Sequence, residues 1–145
     1  MTDQGLITLS GAPEGFDARL LVRELARGKP VVHIARDDRR MEAMRAALSV
    51  LSPASVVLEF PAWDCLPYDR VSPNPDIGAR RMSTLAALVS GLSGSFVVLT
   101  TLNAASQRLP ARAVMRGASF VAQVGERVDE AQLKGFLARM GFSPV

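Results

Sequence analysis

The chain has 145 residues, enough for one domain with a packed core, and its 48% hydrophobic content excludes wholesale disorder. No apolar run approaches the ~20 residues that span a bilayer, and Met1–Gly5 carries an acid but no basic cluster, so neither a membrane span nor a signal peptide is expected and a cytoplasmic location is the default. The net charge of +3 is small and the basic residues are spread along the chain, so DNA contact is expected to be weak or absent.

Short β-rich runs alternate with helical periodicity, which predicts an α/β fold with a mainly parallel sheet flanked by helices. A first strand is expected over Gly5–Leu9, followed by a loop from Ser10 to Gly15. Ala18, Leu21, Val22 and Leu25 then recur at i, i+3, i+4 and i+7 and predict one buried helix face. Gly28 and Pro30 stop that helix. A second strand is expected over Val31–Ala35. It contains His33, the chain's one histidine, which reads as a core or strand-end residue, because no second ligand type stands near it.

Asp37 and Asp38 open the next helix, whose apolar stripe is Met41, Met44, Leu48 and Leu51. Pro53 ends it, and Val56–Phe60 is a third strand. The segment from Phe60 to Pro75 holds Pro61, Pro67, Pro73 and Pro75, which forbid a regular helix or central strand there. It also holds the only Trp and the only Tyr, Trp63 and Tyr68. Two readings stand side by side: a functional loop, or an Ω-like loop whose aromatics pin it to the sheet.

Asp76 is expected to cap the following helix, with Met82, Leu85, Ala86 and Val89 as its stripe and Arg80 and Arg81 on a solvated face. Phe96–Thr100, the most apolar run, predicts the central strand. A short helix or turn over Leu102–Gln107 follows, then a linker with Pro110 and a fifth strand over Ser119–Val124. Asp129 to Met140 predicts a last helix, capped by Asp129 and buried through Leu133, Phe136, Leu137 and Met140. The chain ends soon afterwards at Val145, which fits a segment of a longer polypeptide.

The chemistry is mostly negative. A phosphate-binding P-loop, G-x-x-x-x-G-K-[ST], would stand between the first strand and the first helix, where glycine amides cradle phosphates and Lys and Ser/Thr supply charge and a Mg²⁺ ligand. Here the turn reads Gly11-Ala12-Pro13-Glu14-Gly15-Phe16-Asp17. The second glycine comes a residue early, Pro13 removes a donor, and Glu14 and Asp17 would repel a triphosphate. The loop therefore reads as degenerate, and no cofactor is expected. No acidic pair ends a strand in the manner of a Mg²⁺ site, no G-x-S-x-G surrounds a serine, and an acid neighbours the lone Cys65, which disfavours its thiolate. Neither a catalytic residue nor a metal site is expected.

The central block carries a resemblance. Trp63-Asp64-Cys65-Leu66-Pro67-Tyr68-Asp69, Ser72-Pro73, Asp76-Ile77 and Arg81-Met82-Ser83-Thr84-Leu85 resemble the W-x-x-L-P-Y-[DE]…S-P…D-I…R-[LM]-x-x-L run of transcription-repair coupling factors (Mfd). The likeness continues through Phe96–Thr100 into Leu102-Asn103-Ala104-Ala105-Ser106-Gln107-Arg108 and from Gly125-Glu126 to Gly141-Phe142. It implies a RecA-like fold similar to domain 1a of the excision-repair protein UvrB, with the nucleotide-binding motif lost. It further implies that residues 1–125 form that UvrB-like domain and 126–145 the first helix of a following, UvrA-interacting module. Leu66, Pro67, Tyr68, Asp69, Ser72, Pro73, Asp76, Trp63 and Arg81 become candidates for an interaction or structural loop. The implied partners are the rest of the same polypeptide and, through the parent, UvrA and stalled RNA polymerase. ATP and Mg²⁺ belong to the parent's translocase. The competing reading is a nucleic-acid-binding, helicase-type domain with its own nucleotide site.

Overall fold

The computed structural model describes all residues except 1–4, 6, 66–69, 118–119, 121, 123 and 143–145. The described elements are α1 (Phe16–Ala26), β1 (Val31–Ala35), α2 (Asp38–Leu51), β2 (Val56–Phe60), α3 (Pro75–Val89), β3 (Phe96–Thr101), α4 (Leu102–Ser106), α5 (Arg112–Gly117) and α6 (Glu130–Arg139). They divide into two compact units, the first containing residues up to Thr84 and Ser93–Gln107, the second Leu85–Leu92 and everything from Arg108.

In the first unit β1, β3 and β2 form a parallel sheet in that order, with Val32 opposite Val98 and Leu58 opposite the same Val98. The most apolar strand is thus the central one, as its sequence predicts. Strict alternation then fixes two faces. Val31, Ala35, Val57, Val97 and Leu99 meet Ala18, Leu21 and Leu25 of α1 and Met41, Met44 and Leu48 of α2. Leu48 and Leu99 are fully enclosed in that layer, and burying a side chain of this size contributes roughly 1.5–3 kcal/mol. The helical stripes of α1 and α2 are those the periodicity predicts, except that Leu51 is exposed. Helix α1 is stopped by Gly28, just past its end, whose φ of 77° only glycine adopts freely and whose N–H donates to the Leu25 carbonyl. Asp37 caps α2 by accepting from the Arg40 amide.

The other face carries Leu58, Phe60, Val98 and Thr100, with Val32 and Ile34 of β1 exposed beside them. This is an α/β arrangement, a small parallel sheet flanked by helices, consistent with a RecA-like, UvrB-like domain.

Further expectations are corrected. Gly5 and residues 7–9 form no strand: Ile7 is 82% exposed and the chain there is irregular, because β-rich composition alone supplies no ladder partner. The cap of α3 is Asn74, not Asp76. The Asn74 side chain accepts from the Asp76 amide at 2.9 Å, and Pro75 takes the first helical position, where its missing N–H costs nothing. The buried face of α3 is turned from the expected stripe, since Met82 is exposed while Arg81 and Thr84 are enclosed. Arg81 is therefore not on a solvated face, although Arg80 is exposed.

In the second unit α5 follows Pro110, where only a linker was expected, and Met115 is its buried residue. Helix α6 is capped by Asp129, which accepts from the Ala131 and Gln132 amides. Its expected buried face is only half-buried at Leu133, Phe136 and Leu137, and Met140 is exposed. The Phe136 ring packs against Phe120, with centroids 5.7 Å apart. Of the expected fifth strand, Ser119, Val121 and Gln123 lie outside the described residues, and the described Phe120, Ala122 and Val124 are not in a strand.

Candidate functional site

Two places collect the chemistry-bearing side chains, both in the first unit. The first is the turn before α1. Gly11 and Gly15 both hold positive φ, 69° and 80°, and Gly15 stands at the N-terminus of α1. A turn of this kind could aim amides at an anion, but its surroundings oppose one. Asp17 accepts from the Ala18 amide at 3.0 Å and lies 3.5 Å from the Arg40 guanidinium. Glu14 forms a hydrogen-bonded ion pair with the same guanidinium. The two carboxylates hold the nearest cation, whose pKa rises through its hydrogen bond and charge contact with Glu14.

An open cleft of about 420 Å³ runs along this turn, lined by Glu14, Asp17, His33, Ile34, Arg36 and Arg40, with Ala35 at its floor. It lies at the C-terminal end of β1, where parallel sheets usually place ligands. His33 is half-buried there. Desolvation pushes its imidazole pKa down, with Asp17 acting upward and Arg40 downward. Among the described residues no group of three His, Cys, Asp or Glu could hold a metal ion, and no helix is long and apolar enough to cross a membrane.

The second place is the C-terminal end of β2. Pro61 ends the ladder, and the carbonyls that the strand leaves are taken up by side chains. The Thr84 hydroxyl donates to the Glu59 carbonyl at 2.6 Å, Thr100 to Phe60 at 2.8 Å, and Arg81 to Pro61 at 2.5 Å. Arg81 is 2% exposed. Its guanidinium lies between two rings, 4.1 Å from the Phe60 centroid and 4.4 Å from the Trp63 centroid. It also donates to Gln107 Oε1 at 3.0 Å, and the Trp63 amide donates to the same oxygen at 3.3 Å. Among the described residues no carboxylate pairs with Arg81. Carbonyl dipoles and π faces hold the cation instead, and burial lowers its pKa.

The loop is tied at its far end as well: the Asn74 amide donates to the Asp64 carboxylate at 3.2 and 3.3 Å. Of the loop residues singled out in the sequence, the structure brings together Trp63 and Arg81. Asp76 pairs with Arg80 at the surface, and Ser72 and Pro73 are exposed. Leu66, Pro67, Tyr68 and Asp69 lie outside the described residues. Gly11, Gly15 and Asp17 belong to the other cleft. Sequence reasoning missed Phe60, Pro61 and Asn74 as partners; an arginine that follows a Phe-Pro-x-Trp run was the available signal.

No family model matches the chain. Among known proteins it is 30% identical over 139 residues, 94% of its length, to a transcription-repair-coupling factor of Escherichia coli (strain K12). It is 33% identical over 121 residues, 78% of its length, to the protein of that name from Myxococcus xanthus. A third, from Rickettsia prowazekii (strain Madrid E), is 27% identical over 73 residues, half of the chain. The chain is a relative of the transcription-repair-coupling factors. It spans only a small part of them: the three alignments take in 12%, 10% and 6% of those proteins.

Proposed function

We propose that this chain is a non-catalytic, UvrB-like module of a transcription-repair coupling factor, acting in transcription-coupled excision repair as a scaffold for its neighbours in the same polypeptide. In this reading residues 1–125 form the module and 126–145 open the next, UvrA-interacting one. Release of stalled RNA polymerase and recruitment of UvrA, with the ATP and Mg²⁺ they require, belong to the parent protein, in the cytoplasm.

The observation that carries the reading is the pairing of Glu14 and Asp17 with Arg40. Where a nucleotide site needs a free cation and a hydroxyl, the turn presents two carboxylates that have already engaged the nearest guanidinium. A triphosphate placed there would meet like charge and would have to displace Glu14. The likeness to coupling factors over 94% of the chain supplies the biological setting. The tethered loop around Arg81 supports an architectural role, since its polar groups are spent on internal carbonyls.

Calorimetric titration of the chain with Mg-ATP tests this. No saturable heat, no hydrolysis and no rise in melting temperature are expected at millimolar nucleotide. Stoichiometric binding at micromolar concentration would establish the competing reading, a helicase-type domain with its own nucleotide site.

A further inference from the structure

The charge of this chain is unevenly placed. In the second unit Arg108, Arg112, Arg116, Arg127, Lys134 and Arg139 are set against Glu126, Asp129 and Glu130, an excess equal to the whole net charge of +3. From Ile77 to Gly125 there is no Asp or Glu at all. In the first unit Arg23, Arg27, Arg36, Arg40, Arg45 and Arg80 are each joined to a carboxylate. Arg108, Arg112 and Arg116 are exposed and, among the described residues, have no ion-pair partner; Arg19, Lys29, Arg39, Arg127 and Arg139 share both properties, but only these three fall within the acid-free stretch.

Helix α5 sets out two of them in order. Arg112 and Arg116 are one turn apart on the same side of the helix, with Cβ atoms about 5–6 Å from one another. Met115, one turn from Arg112 on the flank of that side, is enclosed, while both arginines are exposed. Arg108 lies four residues ahead of Arg112 in the exposed approach.

We propose that Arg108, Arg112 and Arg116 form a contact site for the phosphate backbone of a nucleic acid, independent of base sequence. The spacing of the helical pair is within reach of successive phosphates, whose rise along one strand is about 3.4 Å. Arginine offers a planar fork that binds phosphate oxygens in pairs. Neither α5 nor the chain leading into it carries an acid, so the stripe itself offers a polyanion no like charge. An acidic protein segment is the weaker fit, because binding hot spots need a desolvated apolar core, and the exposed Val114 of α5 stands two residues from each of Arg112 and Arg116, on the side of the helix away from them, while Met115 is enclosed.

The contact is weak by design of its size. Three phosphates released from counterions give a slope of log K against log salt of about −2.7, at about −0.9 for each. Fluorescence anisotropy of a labelled random-sequence duplex, titrated with the chain over a series of salt concentrations, reads this slope. Each single change among Arg108→Ala, Arg112→Ala and Arg116→Ala should make it shallower by about 0.9. The triple alanine variant should bind only at background, and the triple lysine variant should bind with nearly the original slope. Circular dichroism of both triple variants should match the parent, as all three side chains are in solvent. Flat anisotropy at low salt, an unaltered slope in the triple alanine variant, or tighter binding of poly-glutamate than of duplex would each overturn the proposal. None of these outcomes bears on nucleotide binding at the first turn.

Discussion

The Arg81 guanidinium lies between the rings of Phe60 and Trp63, with no carboxylate partner among the described residues, and it hydrogen-bonds two neutral oxygens. It thereby ties the end of β2, the start of the proline-rich loop, α3 and the residue following α4 to one point. A buried cation held this way is sensitive to its shape, not just to its charge.

Arg81→Ala should therefore destabilise the chain strongly. It removes the stacked surface and leaves the Pro61 carbonyl and Gln107 without their donor, a loss of about 3 kcal/mol. Arg81→Lys should recover only a minor part, because an ammonium cannot stack flat between two rings while reaching both oxygens. Urea denaturation followed by Trp63 fluorescence reads both. A lysine variant as stable as the parent would show that charge alone matters at this position.

The cap of α3 makes a second test. Asn74→Ala should cost about 1 kcal/mol, the usual value for a lost N-cap. Asp76→Ala should cost less, since Asp76 offers only an exposed pair with Arg80 and a favourable place in the first turn. Thermal melts of the two variants distinguish them, and the reverse order would restore Asp76 as the cap.

His33 gives a pH dependence whose sign can be stated. Its pKa in the folded chain lies below the ordinary 6.5, chiefly through desolvation. The unfolded chain thus takes up a proton first as pH falls. The stabilisation is complete above pH 6.5 and is lost as pH drops through the folded value. Asp17 and Arg40, the charged groups that act on the imidazole, oppose each other. Melting temperature should fall on mild acidification, and His33→Asn should flatten that part of the profile. A parallel decline in both proteins would assign the effect to other groups.

Much of this was legible in the sequence wherever burial and apolar character coincide. Helices α1 and α2 follow their stripes, and β3 is central because its residues are apolar throughout. The reading of α3 failed where those two properties separate. Periodicity assigns Met82 inward and Arg81 outward, yet Arg81 is enclosed because carbonyls at the end of β2 need donors. Asn74 was overlooked because both it and Asp76 are good caps, and only the position of Pro75 decides between them. Helix α5 was hidden by reading Pro110 as a linker residue, although proline near a helix start is equally a beginning signal. The sequence of the turn at Gly11–Asp17 shows what it lacks; that its acids reach Arg40, 23 residues beyond Asp17, depends on α1 and α2 packing side by side.

The sheet order has a practical consequence for anyone handling this chain by itself. Among the described residues no strand pairs beyond β1 or β2, so with β3 in the middle each presents an outer row of peptide groups, and β1 adds the bare side chains of Val32 and Ile34. Such a margin is a template on which another copy can register, strand to strand. Slow, concentration-driven clumping on storage should begin there, and a lysine placed at Val32 should delay it without touching the layer beneath.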